Sequence, residues 1–472
     1  MIAISGSEVA RVVGGTLVDH ADESIVVTGV ARIDSRDAAA GDLFVAILGD
    51  AVDGHDFVGQ ARANGAVLSL AARPVEGPYV LVDDTVQALT SLARHNAQQL
   101  PDSCQVLAMT GSSGKTSTKD LLHAVLEADG ETVAPPGSFN NEVGLPLTVL
   151  RAGSSTKYLV LEMGARGVGH IAWLCSIARP DVGIELNVGS AHISEFGDRE
   201  AIASAKGELV ESLPATGTAV LNGDDALVRG MAARTSADVV YFGSTADCLV
   251  RAESIRVDAL GRASFTLKTQ GLDDAPVSLQ ISGRHHVSNA LAAAAASLVV
   301  GLAPESIAEA LSAATARSRW RMEVAGGKAG ITVINDAYNA NPESMAAALR
   351  ATADIAQGRR IGLVLGEMLE LGALSAQAHR VVGTMAEGIG AAWIVSVGPL
   401  AEEIGSGFTG QVGEVDLVHV GSAAEAVDAA RTLVEPSDVV LVKASRAIGL
   451  EIVAGALLNI DEADAASTGG TE

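Results

Sequence analysis

Between the apolar run "VLAM" (106–109) and the helix-forming run "STKDLL" (117–122) the chain reads "TGSSGKT". A glycine-rich turn that joins a strand to a helix aims successive backbone N–H groups and a helix N-terminus at one point, and such a point binds anions. Lys115 is spaced to reach the outer phosphates of a nucleotide. The Thr116 hydroxyl is spaced to ligate the magnesium that bridges them, which is why both follow the second glycine directly. The full Walker pattern places a glycine five residues before Gly114, where Met109 stands, so the loop has the shortened form GxxGKT. Thr110, Gly111, Ser112, Ser113, Gly114, Lys115, Thr116 and Ser117 are the candidate nucleotide contacts. A phosphate loop alone does not separate an ATPase, a GTP switch, a kinase and a ligase.

Three further side chains carry chemistry. "YLVLEM" puts Glu162 at the carboxyl end of a buried strand, where a doubly wound sheet presents its ligand groups. There it reads equally as a second magnesium ligand and as a solvated strand-end acid. Asn187 and His192 follow the apolar run "DVGIELNV" in a short loop on the same edge, and a lone histidine is more often structural. Lys206 lies on the helical stretch "AIASAKGELVESL", where its residue type points to an exposed surface position.

The elements that must position these groups alternate along the chain. Residues 1–100 intersperse short apolar runs with helical pieces and form a small α/β unit; "LPDS" at 100–103 breaks the pattern. Over 101–320, apolar runs of four to six residues alternate with alanine-rich helices, the mark of a mostly parallel sheet covered on both faces. Residues 250–282 read instead as short antiparallel strands. From 321 to 460 the alternation resumes as a third, Rossmann-like unit, and the polar tail 461–472 is expected to be disordered. The expected fold is α/β in three domains with those boundaries.

Composition excludes other classes. With 472 residues, of which 48% are hydrophobic, the chain supports two or three cores. Its net charge of −25 repels nucleic acid and anionic membranes, so no nucleic-acid partner is expected. No apolar run reaches the roughly 18 to 20 residues of a membrane span, and the opening residues lack a basic start followed by a long apolar core. A cytoplasmic protein without membrane insertion is expected. Cys104, Cys175 and Cys248 are scattered singles that suggest buried thiols.

The segments "TGSSGKTSTK", "SFNNEVGLPLTVL", "LVLEMGA", "NVGSAHISEFG", "AKGELVESL", "GRHHVSNALAAAA", "RME" and "NDAYNANP" occur in an order that resembles the Mur ligases, ATP-dependent enzymes that build the peptidoglycan peptide. Within that family "NDAYNANPESM", "VLGEMLELG" and "DSRDAAAGDLFVAILGDAVDGHDF" are similar to the member that joins D-alanyl-D-alanine to UDP-N-acetylmuramoyl-tripeptide through an acyl phosphate. Other members usually carry histidine where this chain has Asn341. The resemblance implies ATP and Mg2+ as cofactors, with Lys115 on the phosphates and Thr116 and Glu162 on the magnesium between β and γ. It implies that His192 ligates a second magnesium and that Lys206 is carbamylated to N6-carboxylysine, which turns an ammonium into a bidentate anionic ligand. It further implies that Asn289 lies near the adenine and that Arg321 and Asp336 contact ATP from the third unit. Asn140 and Asn141 match residues lining the substrate and phosphate region. Lys443, Ser445 and Arg446 match the amino-acceptor pocket, and Ser35, Arg36, Asp53 and His55 the uridine-nucleotide pocket. A monomer is expected. The chain departs from the family pattern at His285–His286, where many members read "HN", and at Ala444, which replaces a common glycine.

Overall fold

A computed structural model describes residues 1–18, 25–49, 52–189, 196–410 and 415–460. His192 and the tail 461–472 lie outside the described residues.

The apolar runs of the middle third become strands, buried along their whole length in Tyr158–Glu162 and Val182–Glu185. Thr132–Val133, Tyr158–Glu162, Gln105–Thr110, Val182–Glu185, Thr218–Asn222 and Asp238–Phe242 lie side by side in that order, all parallel. Gln105–Thr110 is central: the chain leaves it toward Tyr158–Glu162 on one side and later returns to Val182–Glu185 on the other. That reversal opens a crevice beyond the carboxyl ends of the strands, where open α/β sheets bind ligands. The phosphate loop, Glu162 and Asn187 all sit at this end. Strands Val250–Val257, Arg262–Thr269 and Ala275–Ser282 run antiparallel to one another, as expected for 250–282, and extend the edge of the same sheet to nine strands, Val250–Val257 joining parallel to Asp238–Phe242.

A second open sheet follows, in the order Glu323–Gly326, Thr332–Asp336, Val439–Lys443, Ile361–Gly366, Ala391–Val397, Asp416–Val420. Only its first strand is antiparallel. The amino-terminal sheet has five strands and is parallel except for Thr16–Val18. The α/β class and the mostly parallel central sheet agree with the sequence expectation.

Packing joins these sheets unequally. One apolar cluster runs from Val9, Leu43 and Leu89 of the amino-terminal unit into Leu145, Leu159 and Leu174 beside the central sheet. Asn96 seals that junction, its amide donating to the Val149 and Ala152 carbonyls at 3.0 Å each. The third sheet keeps its own clusters on its two faces, around Met345 and Leu363 on one and Trp393 and Val440 on the other. The three cysteines are buried and free. Burial pushes the Cys104 thiol up to about 11 and Cys175 up to about 12, so neither is a nucleophile near neutrality. No helix among the described residues is long and apolar enough to cross a membrane.

Candidate active site

The loop after strand Gln105–Thr110 turns at Gly111 and enters helix Lys115–Glu127 through Gly114. Gly114 has φ +82, a left-handed conformation that side chains disfavour, and a Cβ there would lie 2.6 Å from Asn289 Oδ1. Two independent constraints therefore require glycine at this position. Asn187 clamps the loop from the neighbouring strand. Its carbonyl accepts from Ser112 N at 3.1 Å, its side-chain oxygen accepts from Ser113 N at 2.9 Å, and its amide donates to Ser113 O at 3.1 Å. The Ser112 hydroxyl accepts from Gly189 N at 2.9 Å. The N–H groups of Ser112 and Ser113 are thus spent on holding the loop, which leaves the helix N-terminus from Gly114 onward as the anion-facing part. Thr110 is fully buried with an unpartnered hydroxyl, and Ser117 is half-buried on the first turn.

Lys115 folds back so that its ammonium donates to Gly111 O at 2.6 Å. Burial lowers its pKa, Glu162 opposes the shift and Arg321 adds to it. Its neighbour Thr116 donates to Glu162 Oε2 at 2.9 Å. The other oxygen of Glu162 accepts from Ser138 Oγ and from Asn140 Nδ2, each at 2.8 Å. Glu162 is only 1% exposed, which removes the reading of a solvated strand-end acid. A threonine hydroxyl beside a buried carboxylate is the hard oxygen pair that Mg2+ takes, so these residues fit a shared Mg2+, with Asn140 and Ser138 orienting the carboxylate from behind.

Lys206 ends helix Arg199–Lys206 and is 4% exposed, so the helix turns it inward and it does not take the surface position that its residue type alone suggests. Burial pushes its pKa down to about 7, with Lys115 adding to the shift and Glu185 opposing it. Its ammonium makes no hydrogen bond among the described residues. A buried amine near neutrality without a partner is the form that adds CO2, so the position fits a carbamate. Glu185, at the end of strand Val182–Glu185, is fully buried with both oxygens unpartnered among the described residues, and burial pushes its carboxyl well above the usual range.

The third sheet meets this crevice with its own carboxyl end. Asn341 caps helix Pro342–Ala356 and its amide reaches Ser112 O at 3.4 Å. A cleft of about 470 Å³ between the two units is lined by Ser113, Asn187, Gly189, Arg199 and Glu343. Arg321 stacks on Tyr338 at 4.2 Å, with its Nε buried and unpartnered. Asp336 and Lys443, expected on different substrates, bind each other at 2.6 Å. Asp336 also accepts from Met322 N and Lys443 also donates to Asn339 O, so both fix the base of the third sheet. Ser445 accepts from Leu369 N at 3.0 Å, while Arg446 pairs with Glu451 and stacks on Trp320 at 4.2 Å.

Other expected contacts are spent internally. Asn141 Oδ1 accepts from Gly144 N at 2.9 Å and so caps a helix start. Asn289 packs under Gly114 and touches His286 at 3.1 Å. His285 and His286 are buried, with burial pulling the first down to about 4 and the second well below its ordinary value, so both rings are neutral. In the amino-terminal unit His55 has both ring nitrogens committed. Nε2 accepts from Ala72 N at 2.8 Å, which leaves Nδ1–H to donate to Asp53 at 2.6 Å. Asp53 is held down to about 2, mainly by the His55 N–H groups. Ser35 is buried against Gln60, whereas Arg36 is exposed beside Asp34. Ser138 and Glu185 were not singled out by spacing; Glu185 left one signal, a charge inside an otherwise apolar strand.

Family models match three consecutive stretches: "Mur ligase family, catalytic domain" at residues 28–97, "Mur ligase middle domain" at 109–297 and "Mur ligase, glutamate ligase domain" at 320–446. A UDP-N-acetylmuramoyl-tripeptide--D-alanyl-D-alanine ligase of Mycobacterium tuberculosis is 43% identical, over 98% of this chain and 99% of the relative. The ligase of the same name from Escherichia coli is 35% identical over 97% and 99%. The crystal structure of MurF from Acinetobacter baumannii superposes with a TM-score of 0.82 at 31% identity, over 97% of this chain and 99% of that one. MurF from Thermotoga maritima in complex with ADP superposes with a TM-score of 0.77 at 30% identity, over 91% and 97%.

Proposed function

The chain belongs to the Mur ligase family, and from that premise we propose that it joins D-alanyl-D-alanine to UDP-N-acetylmuramoyl-tripeptide at the expense of ATP, in peptidoglycan precursor synthesis. The observation that carries the reading is the meeting of a phosphate loop, the Thr116–Glu162 pair and buried Lys206 at one crevice faced by the third sheet.

A carboxylate resists attack by an amine because oxide would have to leave. In the proposed reaction an oxygen of the tripeptide's terminal carboxylate attacks the γ-phosphorus, the bond to the β-bridging oxygen breaks, and ADP departs. The amine of D-alanyl-D-alanine then attacks the acyl carbon and loses a proton, and phosphate leaves with the C–O electron pair. Lys115 and the helix N-terminus hold the phosphates, and Arg321 brings a second cation from the third sheet. Thr116 and Glu162 would hold Mg2+, with Lys206 as N6-carboxylysine and His192 at a second ion. Magnesium, when bound, neutralises charge on the transferring phosphoryl group. Asn140 acts through Glu162 rather than on substrate. Ser35, Arg36 and the Asp53–His55 turn are assigned to the uridine nucleotide, with Arg36 as an exposed cation that is paired with Asp34 and His55 shaping the turn. Ser445 and Arg446 remain assigned to the amino acceptor. The reading includes a cytoplasmic reaction, where ATP is available, and a monomeric enzyme.

Phosphate release from purified protein tests the reading: it should require both UDP-N-acetylmuramoyl-tripeptide and D-alanyl-D-alanine. ATP turnover independent of both would refute it.

A further inference from the structure

Glu185 is a buried group that the reaction above does not use. Among the described residues both of its oxygens lack a hydrogen-bond partner, and an unpaired buried carboxyl is costly unless a partner arrives in the working enzyme. Its direction follows from the strand. A Cβ on Gly183 would lie 3.2 Å from Leu209 and from Leu213, so residue 183 faces the helices after the loop, and residue 185 shares that face. Among the described residues, the charged groups whose field acts on the Glu185 carboxyl are Lys206, Arg234 and Asp225. Arg234 is occupied by the carbonyls of Ala203 and Ser204 and by Glu211. Asp225 is occupied by the N–H groups of Val188, Leu227 and Val228. Lys206 remains.

We propose that Glu185 is the positioning residue for Lys206: its carboxyl accepts the N–H that survives on the carbamylated lysine and so fixes the plane of the carbamate, with the carbamate oxygens turned to the phosphate loop. This rests on the carbamate reading of Lys206. The neutral amine attacks the carbon of CO2, an N–C bond forms, one C=O pair moves onto oxygen, and a proton leaves to solvent. The nitrogen keeps a single hydrogen. That hydrogen needs an acceptor, and among the described residues Glu185 has both oxygens free.

The full-length enzyme equilibrated with 13C-bicarbonate tests this through the 13C resonance of the carbamate. Wild type should show a protein-bound signal that Lys206→Ala lacks. Glu185→Leu should lower its occupancy roughly tenfold or more at equal bicarbonate, the weight of one hydrogen bond near a charge. Glu185→Gln keeps an acceptor oxygen and should keep the signal, and it decides the matter alone if the leucine variant does not fold. An undiminished signal in Glu185→Leu, or loss in Glu185→Gln as complete as in Lys206→Ala, overturns the role of Glu185 while the carbamate stands. No signal in wild type removes the carbamate itself.

Discussion

Gly114→Ala isolates how the loop is held. An alanine at φ +82 costs about 1 kcal/mol or more in backbone strain. Its Cβ, 2.6 Å from Asn289 Oδ1, must also push that side chain away. Displacing Asn289 breaks its contact with His286, a further cost of about 1 kcal/mol. The sum is roughly 2 to 3 kcal/mol, and the two parts are separable. In an Asn289→Ala background the second part is already absent, so Gly114→Ala should cost about 1 kcal/mol less there than in wild type. Urea denaturation with and without saturating ADP measures both. Strain borne by an intact loop appears as lost stability, whereas a loop that relaxes appears as weaker ADP affinity, about tenfold for each 1.4 kcal/mol. Additivity of the two substitutions would refute the packing of Asn289 beneath Gly114. An alanine variant as stable and as tight for ADP as wild type would refute the argument from φ.

Ser138→Ala leaves the Thr116–Glu162 bond but removes one donor to Oε1, so the magnesium concentration for half-maximal activity should rise roughly 10- to 100-fold; an unchanged magnesium titration contradicts the assignment. Lys206→Ala should lose activity and regain part of it with a short carboxylic acid, and an unimpaired variant removes the carbamate role. Because burial holds Lys206 near 7, its CO2-reactive neutral form grows as pH rises through 7 and falls to about a tenth one unit below. Carbamylation, followed by bicarbonate dependence of activity, should therefore weaken on acidification from pH 8 to 6; a flat dependence is inconsistent with a lowered lysine pKa.

What could be read from the chain was what lies close along it. The phosphate loop is contiguous, and Glu162 closes an apolar run whose end is visible in the sequence, so both were found and both meet at the crevice. Residue type alone points Lys206 to the surface, because one basic side chain in an alanine-rich helix does not reveal which face the sheet covers; only the motif resemblance gives it a role in the site. The Asp336–Lys443 pair was split between two substrates because its members are 107 residues apart. Only the parallel register of Thr332–Asp336 against Val439–Lys443, which sets these two residues side by side, brings them together. His55 carried a motif resemblance, yet its ring nitrogens turned out to stitch its own turn, a fact that depends on Ala72 arriving from a neighbouring strand end.

The unequal sharing of apolar cores bears on how the polypeptide could be divided. A break near residue 100 would cut through the cluster that joins Leu43 and Leu89 to Leu145 and Leu159, and would leave each fragment with a sticky, half-covered face. A break just before the third sheet severs no such cluster, because that sheet is covered on both sides by its own helices. Expressed as two pieces, the enzyme should therefore reassemble only if the scissors fall at the later junction. The same asymmetry binds the first two units through one shared apolar cluster and leaves the third sheet with clusters of its own.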